Sequence, residues 1–181
     1  ETGADFALLR VPGASQPSFQ VLDSDRSLRL QAVIAAGYPG DLLRTDSQFR
    51  ALREGDLGAV PELAVTDGTI SAEQSFDRET SVIVHSAPIS TGNSGGPLID
   101  MCGRLIGVNT FVVQGPMRNL NFALSGGDLM RFLDGTEAVP TVVSSSCAPQ
   151  VARPKVPLAR AEGSGDTAQP LPPLDIPPAG E

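Results

Sequence analysis

Six short runs rich in Val, Ile, Thr and Phe, at 28–37, 62–65, 68–72, 81–87, 104–113 and 120–124, are separated by Gly, Pro, Asp and Asn. Runs of that length suit strands, because β-branched and aromatic side chains pack well on a pleated surface while the turn residues interrupt it. The pattern predicts an all-β sandwich or barrel. One helix is expected near its end, where Ser125 and Asp128 stand at capping-box spacing before Leu129, Met130, Phe132 and Leu133. A shorter helix is expected within 47–53.

Composition changes after the later helix. Aromatic residues run from Phe6 to Phe132 and then stop, while 9 of the 16 prolines lie at or beyond Pro140. A stretch so poor in bulky apolar side chains cannot offset its ordering entropy by burial, so 138–181 is expected to be a disordered tail or linker behind a folded region, 1–137. With 40% hydrophobic and 19% charged residues, the 181-residue chain has material for one core of ordinary size. Its net charge of −8 supplies no basic footprint for nucleic acid or an anionic membrane surface. There is no apolar run of about 18 residues for a membrane span, and no signal-peptide pattern at the start. Beginning at Glu1 without Met, the sequence reads as a mature or cut fragment.

The run Thr91-Gly92-Asn93-Ser94-Gly95-Gly96-Pro97-Leu98 carries the chemistry. Glycine admits positive φ and has no Cβ, so such a loop can turn sharply, expose the Ser94 hydroxyl and aim backbone N–H groups into one small cavity. Those of Gly92 and Ser94, in a loop centred on Asn93, would form an oxyanion hole for a tetrahedral intermediate. An isolated Gly-Xaa-Ser-Xaa-Gly is more often an ordinary β-turn, so the surrounding residues decide. Gly-Xaa-Ser-Xaa-Gly also occurs in α/β-hydrolases, whose histidine follows the serine; none follows Ser94 here.

The whole run, with Ile106-Gly107-Val108-Asn109-Thr110 behind it, resembles the active-site segment of trypsin-like serine peptidases, especially the bacterial HtrA-type branch. The likeness extends through Ala36-Gly37-Tyr38-Pro39-Gly40, through 65–71 and through Asn121-Phe122-Ala123-Leu124, covering roughly 5–133. It implies a chymotrypsin-like β-barrel fold, with the second barrel mostly complete, the first largely missing, a short C-terminal helix and a disordered tail. That family orders its triad His, Asp, Ser. Asp5, before Phe6-Ala7-Leu8-Leu9-Arg10-Val11, resembles the aspartate segment, in which the acid precedes a short apolar strand. The family's histidine would lie upstream of Asp5. The single histidine, His85, is nine positions before Ser94 and is expected on a strand beneath the nucleophile loop rather than in the role of base.

The resemblance implies a serine endopeptidase that forms an acyl-enzyme on Ser94, with this chain nearly inert alone for want of an imidazole. It also implies a protein or peptide substrate, no cofactor and no metal, and a periplasmic or secreted bacterial location. Substrate would be lined by Ile89, Ser90 and Thr91 and by the strand Asn109, Thr110, Phe111. Because 87–91 holds no carboxylate, an uncharged, small or aliphatic P1 side chain is expected. The alternatives are a non-catalytic peptide-binding pseudopeptidase, which would not need the hydroxyl, and an adhesion-type β domain, which leaves the serine run unexplained.

Two cysteines, Cys102 and Cys147, match no zinc spacing. Cys102 falls in a turn between two expected strands and Cys147 beyond the terminal helix, where the chain could pass back over that turn. A disulfide between them is expected in an extracytoplasmic enzyme, with two unpaired thiols as the other possibility.

Overall fold

A computed structural model of the chain describes residues 5–13, 17–75, 80–112, 120–145 and 147. Its elements in chain order are β1 (Val21–Leu22), β2 (Ala32–Gly37), α1 (Gly40–Leu43), α2 (Ser47–Arg53), β3 (Ala64–Ser75), β4 (Ser81–His85), β5 (Pro97–Asp100), β6 (Leu105–Val112), β7 (Asn121–Ser125), α3 (Gly126–Leu133) and β8 (Val142–Val143). Neighbours run in the order β5-β2-β3-β4-β7-β6, and β6 pairs again with β5. Every one of these pairings is antiparallel, so six strands close into a barrel of the chymotrypsin type and no edge is left among them. β1 adds to β6 in parallel, and β8 adds to β1 in parallel.

Closure brings Val33, Ala35, Ile70, Ile83, Leu98, Ile106 and Ala123 into one buried cluster. Val33, Ile70 and Leu98 are fully enclosed, and each such side chain contributes about 1.5–3 kcal/mol relative to exposure. Among the described residues no helix is long and apolar enough to cross a membrane.

The expected strands at 62–65 and 68–72 are one continuous strand, β3. Asp67-Gly68 is not a turn: a Cβ on Gly68 would lie 2.1 Å from the Ala87 backbone nitrogen, so the glycine permits close approach of another segment. β5 follows the serine loop directly and is the strand that precedes the Cys102 turn.

α3 starts where the capping signal placed it, with the Ser125 side chain accepting from Asp128 N at 3.1 Å. The reciprocal half of the box is replaced by a tertiary bond. The Asp128 carboxylate accepts from Ser81 N at 2.6 Å and pairs with Arg131.

Within the expected tail, β8 pairs with β1, Val21 N donating to Thr141 O and Asp23 N to Val143 O. A pair of β-branched residues beside an open strand edge is enough to be captured by it. Residues 148–181 of the expected tail lie outside the described residues.

Candidate active site

The loop between β4 and β5 is held by its own backbone. Asn93 N donates to Ser90 O at 3.0 Å, Gly96 N to Asn93 O at 2.9 Å, and Gly95 N to Asn109 O at 2.9 Å. The Asn93 side chain is 2% exposed, and its Oδ1 accepts from Ser90 N at 3.1 Å. Gly92 has φ +103°, and a Cβ there would sit 2.3 Å from Tyr38 O, so only glycine fits. Gly40 N donates to Thr91 O at 2.8 Å, which fastens the start of α1 to this loop.

Inside that frame Ser94 is exposed, and its hydroxyl donates to Thr110 O at 2.5 Å. Among the described residues no acceptor takes the N–H of Gly92 or of Ser94. Two N–H groups without an acceptor among the described residues thus stand within two positions of an exposed hydroxyl. The Asn93 N–H donates instead to Ser90 O, and its side chain is an internal strut.

The expected substrate wall divides into two groups. Thr91 is exposed and Ser90 half-buried. Ile89 packs partly against the core. Asn109 is 1% exposed and its Nδ2 donates to Pro97 O at 3.1 Å, so its side chain braces the β5–β6 pairing instead of facing substrate. Thr110 presents its carbonyl to Ser94, and Phe111 follows it in β6.

His85 ends β4, opposite Ile70 of β3 and Asn121 of β7. It is fully buried, and neither ring nitrogen has a hydrogen-bond partner, so no bond joins it to Ser94. Burial drives its pKa down to about 4, opposed weakly by the backbone at Ala87. Asp5 is exposed, and no strand forms over 5–11, against the expected acid-then-strand pattern. Leu8, Leu9 and Val11 are exposed, Leu9 to 82%. An apolar run becomes a strand only where a partner edge meets it, and no described strand pairs with this one. The segment is instead tethered by Phe6 against Phe132, ring centroids 5.4 Å apart, and by an Arg10–Glu137 ion pair.

At the far end of β5 lies a cluster that residue patterns alone do not single out. Asp100 Oδ2 accepts from Arg104 Nε at 2.7 Å and lies 2.6 Å from Nη2, while Oδ1 accepts from the N–H groups of Cys102 and Arg104. Both side chains are more than nine-tenths buried, and Arg104 Nη1 also donates to Ser145 O. Cys102 and Cys147 are bonded, with Cα atoms 5.9 Å apart.

Comparison with known proteins agrees in kind. Serine protease Do-like HtrB of Bacillus subtilis is 29% identical over 136 residues, 74% of this chain and 28% of that protein. A probable periplasmic serine endoprotease DegP-like of Pseudomonas putida is 30% identical over 125 residues, 66% of this chain and 22% of that protein. The chain thus spans about a quarter of the length of these curated relatives. Among solved structures, a serine endoprotease from Yersinia pestis matches 61% of this chain and 32% of its own at 25% identity, with a TM-score of 0.43. The model of the trypsin-like peptidase domain matches residues 1–108, more than half of the sequence and including the whole serine loop, so the chain belongs to the trypsin-like peptidase domain family.

Proposed function

We propose that the chain carries the nucleophile and oxyanion loop of a serine endopeptidase acting outside the cytoplasm. The single observation behind this is the exposed Ser94 hydroxyl on a loop whose Gly92 and Ser94 N–H groups meet no acceptor among the described residues. In that reading Ser94 attacks a peptide carbonyl, the N–H pair takes up the developing negative oxygen, and water later releases the acyl group. The extended backbone at Thr110 and Phe111 would hold the substrate chain, with Ile89, Ser90 and Thr91 beside the P1 side chain. That P1 group would be uncharged, because no carboxylate lies in 87–91.

The base is a histidine preceding Asp5 in the protein, and Asp5 orients it. His85 is unsuited, being enclosed in the barrel with a pKa of about 4. Exposed Leu8, Leu9 and Val11 support a further half that packs on this one. DegP-like relatives described as periplasmic, together with the disulfide, support the location.

The bond from Ser94 to Thr110 O favours one rival, a peptide-binding module without chemistry, because it points the hydroxyl proton away from any imidazole. Fluorophosphonate labelling separates the two. The full-length protein is expected to be labelled rapidly and stoichiometrically at Ser94, and residues 1–181 alone slowly or not at all. No label on the full-length protein would favour the binding module. Rapid label on residues 1–181 alone would promote His85 to the role of base.

A further inference from the structure

Between β2 and β3 the chain inserts α1 and α2, and these border an open surface cavity of about 400 Å³ lined by Leu43, Arg44, Phe49, Arg50, Arg53 and Glu54, the charged side chains exposed. Three guanidinium groups against one carboxylate leave the cavity with an excess of two positive charges, on a chain whose net charge is −8. Among the described residues none of the three arginines takes part in an ion pair. The nearby Asp46 carboxylate is committed elsewhere: it caps α2 through Phe49 N at 2.9 Å and accepts from Glu62 N at 3.3 Å, bonds that hold its pKa below the ordinary carboxylate value.

Helix chemistry explains part of this. Arg50 and Arg53 lie in the last turn of α2, where cations oppose the helix dipole, and their i,i+3 spacing puts them on one face. It does not explain Arg44, which precedes α2 and caps a helix of only four residues. Nor does a solvated charged face require a concave, partly apolar lining: Leu43 and Phe49 are half-buried there.

The insertion is also fixed to the nucleophile loop. Gly40, the first residue of α1, donates to Thr91 O, and Tyr38 O leaves Gly92 no room for a side chain. The four residues of α1 rise only about 6 Å, so Arg44 follows the loop contact closely.

We propose that this cavity is an exosite for a carboxylate-bearing segment of the peptide substrate. The arginines bind the acidic groups, in part through bidentate pairs, while an apolar side chain rests on Leu43 and Phe49. The exosite rests on the peptidase reading for its purpose and would select acidic, extended chains at a distance from the uncharged P1 position.

The test is fluorescence anisotropy of a labelled peptide carrying several Asp and Glu residues around one Leu, titrated with full-length protein bearing Ser94→Ala. The acidic peptide is expected to bind in a salt-sensitive way, and Arg50→Glu with Arg53→Glu to weaken it at least about tenfold. A control peptide with Gln and Asn in place of the acids is expected to show neither effect. A Lys-substituted peptide is expected to gain affinity for the double Glu variant, a gain a misfolded protein would not show. Absence of binding, affinity unchanged in the variant, or equal loss for the Gln control overturns the exosite. Because binding is read without cleavage, the two proposals fail separately. Arginine-dependent binding with no Ser94 labelling leaves the exosite and removes the peptidase; labelling with indifferent binding does the reverse.

Discussion

The two ends of β5 (Pro97–Asp100) treat their polar groups in opposite ways. Before Pro97 the Ser94 loop contains no charge, is shaped by glycines and a buried amide, and leaves two N–H donors unfilled beside an exposed hydroxyl. After Ile99 every polar group of Asp100 is used: its carboxylate meets two backbone N–H groups and a buried guanidinium, under a disulfide. A group that must receive a transient charge has to be held in place without being satisfied, so the restraint comes from the backbone around it. A group that only closes a barrel has no such constraint, and its satisfaction removes the penalty of burial. One short strand links a site left open for chemistry to a clasp left with nothing to bind.

The largest change is expected at the clasp. Arg104→Leu leaves the Asp100 carboxylate buried without its partner, and should lower unfolding free energy by about 3–5 kcal/mol in urea titration. Replacing both residues with apolar ones of similar volume should recover most of that loss. Stability unchanged by Arg104→Leu would show that the far end is no clasp, and the comparison would collapse.

At the open end, Gly92→Ala sets a methyl against Tyr38 O in a backbone conformation that alanine resists. In the full-length protein it should slow fluorophosphonate labelling of Ser94 by on the order of 10²–10³-fold, the usual consequence of displacing one oxyanion donor. An unchanged rate would mean that the loop tolerates movement there and is not over-determined.

His85 lies between these extremes, a buried polar group satisfied by neither means. Its folded pKa of about 4 is below the ordinary 6.5, so the unfolded chain binds the proton first as pH falls. Its contribution is complete above pH 6.5 and is lost as pH drops toward 4. The loss should be about 1 kcal/mol near pH 5.5 and on the order of 3 kcal/mol at the acid limit. The difference between His85→Gln and the parent in pH-dependent urea unfolding isolates it, and a parallel pair of curves would show that His85 does not titrate as a buried group.

Much of the fold was legible because local chemistry and tertiary structure agreed. Val33, Ile83 and Ile106 sit in strand-like runs that became strands, and Ser125 caps α3 as its spacing suggested. What was not legible shares a cause. The break at Thr66-Asp67 between the runs 62–65 and 68–72 does not occur, and the close approach of Gly68 to Ala87, nineteen positions away, is not visible in sequence. Asn93 and Asn109 stand beside Ser94 and in its neighbouring strand, and sequence does not show that each turns its side chain into the molecule.

What the sequence determined by itself is therefore what depends on neighbours within a few positions: strand-forming runs, a helix start, and a glycine-bracketed serine whose loop can only be tight. Those preferences act through φ, ψ and side-chain bulk at the residue concerned. Which donors of the loop remain open was not legible in the sequence, because it depends on the turn in which Asn93 N–H meets Ser90 O while Gly92 and Ser94 N–H meet no acceptor among the described residues. Tertiary structure alone decided that Arg44 joins Arg50 and Arg53 around one cavity, that β8 finds the edge of β1, and that His85 lies deep in the barrel without a partner. The burial of His85 depends on closing the barrel, which brings residues far apart in the chain to van der Waals distance and leaves each buried polar group either paired or unpaired; the other two depend on how neighbouring elements pack, which residue types alone do not fix.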